Sequence, residues 1–346
     1  MNIAIDISPL SSGHRVRGVG FYVKTIKDNI EKIDKKNSYT FFESGNIPRN
    51  ADLVHFPYFD PFFITLPIIN TKKFIVTVHD LTPLVFPDHF PAGMKGRARW
   101  FLQRQLLKRA RLIISDSDCS RRDVIKILGI PEDRVKTVYL AADPMFRKLT
   151  DGLWKPDILK KYSLPNNFLL YVGDATWNKN LPRLIAAVKK TSHKLVLIGK
   201  VWSKESSDLS SNPWNEDLRA VLNEIQGKEQ FIKLGFVPGD DLVKIYNLAT
   251  AAILPSIYEG FGLPVLEALA SGCPVITSRG GSIPEVAGQA VSYIDATSID
   301  NIRDGISRVM NNRVLRENLS KKGLMQSKKF TVEELVKNLV KVYETS

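Results

Sequence analysis

The sequence predicts an α/β fold of two Rossmann-like domains, and three observations carry that prediction. Short apolar runs alternate with helical segments from end to end, the pattern of parallel sheets covered by helices on both faces. At 346 residues the chain is too long for one comfortable core and long enough for two. The alternation breaks over Leu149–Asn167, where Thr150, Asp151, Gly152, Pro156, Pro165 and Asn166 surround a short basic helix. The expected division is therefore 1–150, then 151–330, with 331–346 as a terminal helix.

Taken in order, strands are expected near 2–7, 39–43, 52–56, 73–78, 111–115 and 135–138, with helices near 19–34, 93–109 and 118–128. In the second half strands are expected near 168–173, 195–199, 231–234, 251–254, 274–277 and 291–294. Thr331–Tyr343 is amphipathic, with Leu335, Leu339 and Val342 on one face. There is no internal repeat and no low-complexity tract.

Composition narrows the class. Hydrophobic residues make up 44%, as in a globular protein. Cys119 and Cys273 are too few for a disulfide framework or a zinc site, so a reducing, cytoplasmic compartment is expected. Met1–Ile7 is an apolar strand start without the parts of a signal peptide, and no run of about 18 apolar residues exists to span a bilayer. The expected location is cytoplasmic, peripheral at the inner face of the membrane.

The net charge of +13 is unevenly placed: residues 1–150 hold 24 Lys and Arg against 15 Asp and Glu, the remainder 25 against 21. Zinc-finger spacing, a ribonucleoprotein-type strand and a basic tail are all missing, which argues against nucleic acid and for lipid headgroups or an anionic acceptor. Residues 97–111 form a basic amphipathic stretch that carries Arg97, Arg99, Arg104, Lys108, Arg109 and Arg111. It reads either as a membrane-surface helix or as a core helix with Trp100 and Leu107 inward and its cations in water.

The most specific stretch is Ser256-Ile-Tyr-Glu-Gly-Phe-Gly-Leu-Pro-Val-Leu-Glu-Ala-Leu-Ala-Ser-Gly272. Ala251–Leu254 reads as a buried strand, Gly260 and Gly262 as a tight turn, Pro264 as the first helical position and Gly272 as the residue closing the helix. That helix is apolar nearly all round, so Glu267 is expected to be buried with partners. Glu259 sits on the turn, in the strand-turn-helix geometry that attracts phosphate. The alternative is that Glu267 meets a core arginine while Glu259 is a solvated loop charge.

This stretch resembles the Glu-x7-Glu signature of retaining glycosyltransferases of the GT-B fold, in which two Rossmann-like domains face across a cleft. It is most similar to glycosyltransferase family 4 and, within it, to bacterial mannosyltransferases. The resemblance implies that Glu259, Phe261, Gly262 and Leu263 hold the donor sugar, that Glu267 takes the ribose, and that Glu259 is also catalytic. It further implies retaining, metal-independent transfer from a nucleoside diphosphate sugar to a glycan or lipid-linked saccharide. GDP-mannose is the first donor expected, and no cofactor is.

Four other segments complete the reading. Arg17-Gly-Val-Gly-Phe-Tyr-Val23 precedes a helix and fails as a dinucleotide fingerprint; it matches the family's glycine loop, with Gly18 and Gly20 on the donor side. Thr77-Val-His-Asp-Leu-Thr-Pro83 ends a strand, so His79 and Asp80 project from a carboxyl edge. The resemblance puts His79 beside the reacting carbon and His55, like Asp80, on the acceptor side. Lys179, in Asp174-Ala-Thr-Trp-Asn-Lys-Asn180, matches the family lysine that neutralises the departing diphosphate, although Asp174 and Asn178 stand where arginine is often found. Leu234-Gly-Phe-Val-Pro-Gly-Asp-Asp241 reads as a turn and an Asp-capped helix, with the base docking near Val237.

Asp116-Ser-Asp118 resembles the metal motif of another glycosyltransferase fold but leads into a helix start, where aspartates are expected on dipole grounds. No metal is therefore expected. Ser282-Ile-Pro-Glu285 reads as a helix start serving as scaffold. The rival readings are a nucleotide-sugar epimerase of the same fold and a non-catalytic protein that binds nucleotide sugar or RNA.

Overall fold

The computed structural model describes residues 1–13, 18–43, 45–69, 72–209 and 212–346. Among these the chain divides into two compact units, Met1–Asp143 with Phe330–Ser346, and Pro144–Lys329. The short helix Lys155–Lys161 belongs to the second unit, and the last helix, Val332–Glu344, to the first.

The first unit is built on the strands β1 (Asn2–Asp6), β2 (Ser38–Phe42), β3 (Leu53–Phe56), β4 (Phe74–Val78), β5 (Leu112–Ser115) and β6 (Val135–Thr137). They form one parallel sheet in the order β2-β1-β3-β4-β5-β6. Every residue of β3, β4 and β5 is buried, as a sheet covered on both faces requires. Ala4, Val54, Val76 and Ile113 pack on one face with Leu106 and Leu107 of the helix Gly93–Lys108. That helix stops at Lys108, so Arg109 and Arg111 lie beyond it and not on it as the 97–111 reading expected.

A chain of buried hydrogen bonds ties the terminal helix to this sheet. Tyr22 of the helix Gly18–Ile33 and Thr77 of β4 share a hydrogen bond of 3.1 Å between hydroxyls. Thr77 Oγ1 meets Nε2 of His55 at 2.8 Å, and His55 Nδ1 meets the Tyr343 hydroxyl at 2.8 Å. His55 has no exposed surface. Burial, and after it the nearby His79 charge, push its pKa down to about 3, so the imidazole is neutral. The acceptor-side role expected for His55 is therefore corrected: enclosed between β4 and the terminal helix, it is a structural tie.

The second unit repeats the plan with β7 (Phe168–Val172), β8 (Lys194–Ile198), β9 (Phe231–Gly235), β10 (Ala251–Leu254), β11 (Val275–Thr277) and β12 (Ser292–Tyr293). The parallel order is β12-β11-β10-β7-β8-β9. The two-residue period of a strand is visible in the packing. Leu169, Tyr171, Leu195, Leu197 and Ile253 enter one core, while Phe168, Leu170, Val196, Ile198 and Leu254 enter the other. The chain runs outward from β7 through β9, then returns to β10 on the other side of β7. The carboxyl ends of β7 and β10 thus adjoin where the strand order reverses, the place where open α/β sheets bind ligands.

Replacing Tyr343 by Phe leaves His55 Nδ1 buried without its partner, at a cost of about 1 to 3 kcal/mol. Amide hydrogen exchange in Val332–Glu344 should accelerate by roughly fivefold or more, and unchanged protection would show that the bond does not hold the helix.

Candidate active site

Two loops meet at the reversal point of the second unit. After β7 the chain makes a short 3-10 turn, Trp177–Lys179, and then the helix Leu181–Lys189. After β10 it makes the turn 255–262 and the helix Leu263–Ala270. Two asparagines stitch the loops together: the Asn178 carbonyl accepts from the Ile257 amide at 2.7 Å, and its side-chain amide donates to Tyr258 O at 2.9 Å. Asn180 donates to the carbonyls of Pro255 and Ala296 at 3.0 and 2.7 Å. Its backbone is left-handed, φ 59°, a conformation asparagine takes more readily than most residues.

Between these asparagines, Lys179 extends its ammonium group to both carboxylate oxygens of Glu259, each at 2.8 Å. Ser256 donates to Glu259 Oε1 at 2.6 Å. The lysine side chain keeps 20% of its surface exposed and the glutamate 8%, so Glu259 is an enclosed, paired charge and not a solvated one. Taking away one partner of such a pair typically costs about 3 to 5 kcal/mol.

The Glu259 backbone is fixed from the other side. Its carbonyl accepts from both the amide and the hydroxyl of Ser282, each at 3.0 Å. Gly281, at φ 63°, lies so close that a Cβ there would stand 2.3 Å from the same carbonyl oxygen. Ser282 is the residue before the helix Ile283–Ala287, in the scaffold position expected of it.

The turn ends at Gly262, whose φ of 93° few other residues adopt, and the helix begins at Leu263. Pro264 is thus its second residue, not its first. Phe261 and Gly262 are buried, Leu263 half-buried, and Gly272 follows the helix in the left-handed region, φ 68°. Glu267 differs from expectation in being half-buried, and the Tyr246 hydroxyl donates to Glu267 Oε2 at 3.2 Å. Burial and then the Glu267 charge raise the Tyr246 phenol well above its usual range, so it stays a donor. Val237 is buried after β9, and the next helix, Gly239–Leu248, follows Pro238 with Asp240 and Asp241 in its first turn. The expected aspartate cap is absent there, because Asp241 instead holds Lys161 and Tyr162, both at 2.7 Å.

In the first unit the carboxyl edge converges on His79. Its Nε2 faces the carbonyl of Pro57 at 3.1 Å, and since a carbonyl only accepts, this nitrogen carries a proton. Its Nδ1 meets Asp116 Oδ2 at 2.6 Å. Tyr22 packs edge-on against the ring at 5.1 Å. Burial alone would lower the His79 pKa, but the Asp116 charge and hydrogen bond, with Asp80 behind them, outweigh it and hold the pKa above the usual 6.5. Asp80 accepts from the Thr82 amide at 2.8 Å. The Asp-x-Asp triplet divides its carboxylates: Asp116 goes to His79, and Asp118 accepts from Thr137 and Tyr139 at 2.5 and 3.2 Å. The glycine loop is partly described: Arg17 lies outside the described residues, and Gly18 and Gly20 fall inside the first turn of a helix, not before it.

Sequence reasoning missed Asp116 as the partner of His79, Tyr246 as the partner of Glu267, and Asn180. The last had a signal, since Asn-Lys-Asn before a helix is a turn pattern. The other two contacts have no local signal.

The two histidines make opposite contributions to stability. His79, with its pKa raised above 6.5, stabilises the fold fully below that pH and loses the contribution as pH rises through the folded value. His55, depressed to about 3, contributes above pH 6.5 and loses its contribution as pH falls toward 3. In Asp116→Asn the His79 pKa should fall below that of the parent protein, followed by the pH titration of its ring carbon resonances. An unchanged titration would remove Asp116 as the cause.

Comparison with known proteins agrees with this fold. A family model described as Glycosyl transferases group 1 matches residues 155–325, and one described as Glycosyltransferase Family 4 matches residues 37–146. O-antigen chain mannosyltransferase B of Escherichia coli is 31% identical over 284 residues, covering 79% of this chain and 70% of that protein. Serotype-specific mannosyltransferase WbdA of Escherichia coli is 28% identical over 278 residues, covering 79% of this chain and 33% of that protein, so the chain spans about a third of WbdA. Among solved structures, sucrose-phosphate synthase from Thermosynechococcus elongatus matches with a TM-score of 0.75 at 17% identity, over 100% of this chain and 98% of that one. Anabaena HepE, solved in complex with UDP and glucose, matches with a TM-score of 0.74 at 15% identity over 100% of both chains. With its fold, its family models and a mannosyltransferase relative all in agreement, the chain belongs to the family 4-like glycosyltransferases of the GT-B fold.

Proposed function

We propose that this glycosyltransferase moves mannose from GDP-mannose to a hydroxyl of a glycan or lipid-linked saccharide, with retention of configuration and without a metal. The observation that carries the reading is the Lys179–Glu259 pair at the strand reversal of the second unit, beside the start of a helix. Mannosyl transfer is suggested by the names of the E. coli relatives, and a nucleoside diphosphate sugar by the ligands of HepE.

The chemistry follows from the charges. A departing diphosphate gains negative charge, and Lys179 together with the unpaired amides of a helix start can stabilise it. On donor binding Lys179 exchanges the Glu259 carboxylate for phosphate oxygens, which frees Glu259 to accept hydrogen bonds from sugar hydroxyls. Glu267, half-buried and oriented by Tyr246, takes the ribose hydroxyls. Arg279, on the same sheet edge with its guanidinium 3.9 Å from the Tyr293 ring centre, is the cation we assign to offset the missing arginines at positions 174 and 178. In retaining transfer of this kind the incoming hydroxyl enters on the face the diphosphate leaves, so no enzyme nucleophile is required and catalysis rests on positioning. The first unit, through His79 and Asp80, serves the acceptor side.

The test is incubation with a panel of nucleotide sugars and saccharide acceptors in excess EDTA, read by mass spectrometry. Mannosylated acceptor with released GDP is expected. An epimerised donor, no turnover of any donor, or activity lost to EDTA and restored by metal would each contradict the proposal. Lys179→Ala should lower turnover by about 2 to 4 kcal/mol of transition-state stabilisation, roughly thirtyfold to a thousandfold.

A further inference from the structure

The amino edge of the first sheet, opposite the edge that bears His79, takes no part in the proposed transfer. β4, β5 and β6 are parallel neighbours there, and the residue just before each is a cation: Lys73, Arg111 and Arg134. Adjacent strands lie about 4.8 Å apart, so the three charges fall in a row about 10 Å long. Like charges on neighbouring strands repel each other and cost stability.

These three line a cleft of about 690 Å³ together with Lys72, Arg109 and Lys136. Asp133 is the acidic side chain among the lining residues, and it is exposed. Lys73, Arg111 and Lys136 form no ion pair with any described residue. The frame around them is fixed. Arg134 donates to the carbonyls of Lys108 at 2.9 Å and of Ala110, and Lys72 donates to Arg49 O at 2.6 Å. The repulsion is thus built into an ordered surface, with Asp133 as the carboxylate of the lining to set against six cations.

Cations gathered on one concave volume call for a compact, highly charged anion. Lysine and arginine meet phosphate through charge-assisted hydrogen bonds. A row about 10 Å long exceeds one phosphate and suits a linear chain of them. Nucleic acid would bring bases that need an exposed aromatic face, and Phe74, the aromatic residue of the lining, is buried. Bilayer headgroups spread phosphates over a plane, a poor match for charges gathered in one hollow. Thr345, just beyond the helix Val332–Glu344, lines the same cleft, so its occupant touches both the sheet edge and the end of the terminal helix.

We infer that this cleft binds a soluble linear oligophosphate, free or as the tail of a nucleotide, with Lys73, Arg111 and Lys136 among its contacts. The phosphates turn repulsion between the cations into attraction and stabilise the first unit, as does any ligand that binds only the folded state. The site goes beyond the transfer reading and is independent of it, because it shares no residue with the donor or acceptor side.

The test is isothermal titration calorimetry of the full chain with inorganic tripolyphosphate and with ATP, followed by amide hydrogen exchange with tripolyphosphate bound. Tripolyphosphate should bind, and ATP should bind equally well if a phosphate tail suffices or more weakly if the cleft takes the free chain. Exchange should slow at 72–74, 109–112 and 133–136. The triple variant Lys73→Gln with Arg111→Gln and Lys136→Gln should bind at least about tenfold more weakly, because one charge-assisted hydrogen bond is worth about that factor. Lys27→Gln with Lys32→Gln and Lys126→Gln removes the same charge from exposed positions elsewhere on the first unit, where screening is strong, and should change binding by less than about threefold. Should the cleft variant fail to fold, Lys136→Gln alone replaces it, with a loss of about threefold or more expected. Absence of tripolyphosphate binding would overturn the inference. So would binding kept in a folded cleft variant, an equal loss in the control variant, protection confined to 176–182 and 255–263 on the donor side, or affinity for phosphatidylglycerol vesicles with none for tripolyphosphate.

Discussion

The second unit depends on one ion pair and on the strand order that makes it possible. Lys179 and Glu259 are 80 residues apart in sequence and meet because β10 returns beside β7, so that the loops leaving both strands share one edge. An enclosed carboxylate beside an ammonium group is stable only while each has the other or a substitute. A nucleoside diphosphate sugar offers both substitutes at once, phosphate oxygens for the lysine and hydroxyls for the glutamate. On the proposed reading, the pair keeps the unit satisfied without a donor and gives it two matched contacts when one binds. Asn178, Asn180, Ser256 and Ser282 hold the backbone and carboxylate in register for that exchange.

The first unit shows how surroundings set the state of like residues. His55 and His79 lie at the ends of neighbouring strands, the first without exposed surface and the second with 15% of its side chain exposed. His55 meets only hydroxyls and stays neutral, whereas His79 meets a carboxylate and a carbonyl, which favour its second proton. One locks the last helix of the chain to the sheet. The other binds its second proton at the carboxyl edge more tightly than a free imidazole does. Asp116 favours that proton from behind, while Asp118 of the same triplet turns to Thr137 and Tyr139.

Much of this was legible in the sequence because it is written locally. Apolar runs of strand length located all twelve strands of the two sheets among the described residues, and the turn formers around Gly262 and Gly272 bounded the helix between them. The candidate residues Glu259 and Lys179 could be named from their motifs, but their direct contact could not. The same holds for His79 with Asp116, separated by 37 residues, and for His55 with Tyr343, separated by 288. Partners of this kind are chosen by tertiary approach, which no local spacing encodes. Other local signals were overruled: Asp241 left its capping role for Lys161 and Tyr162, and half-buried Glu267 meets the buried Tyr246 hydroxyl.

The central claim is that the Lys179–Glu259 pair is the donor site in its closed form. A crystal structure of the protein with GDP-mannose bound tests it most directly. Lys179 Nζ should lie about 2.8 Å from a diphosphate oxygen, with Glu259 released onto the sugar hydroxyls. A bound nucleotide elsewhere, with the 2.8 Å Lys179–Glu259 contact intact, would contradict the account.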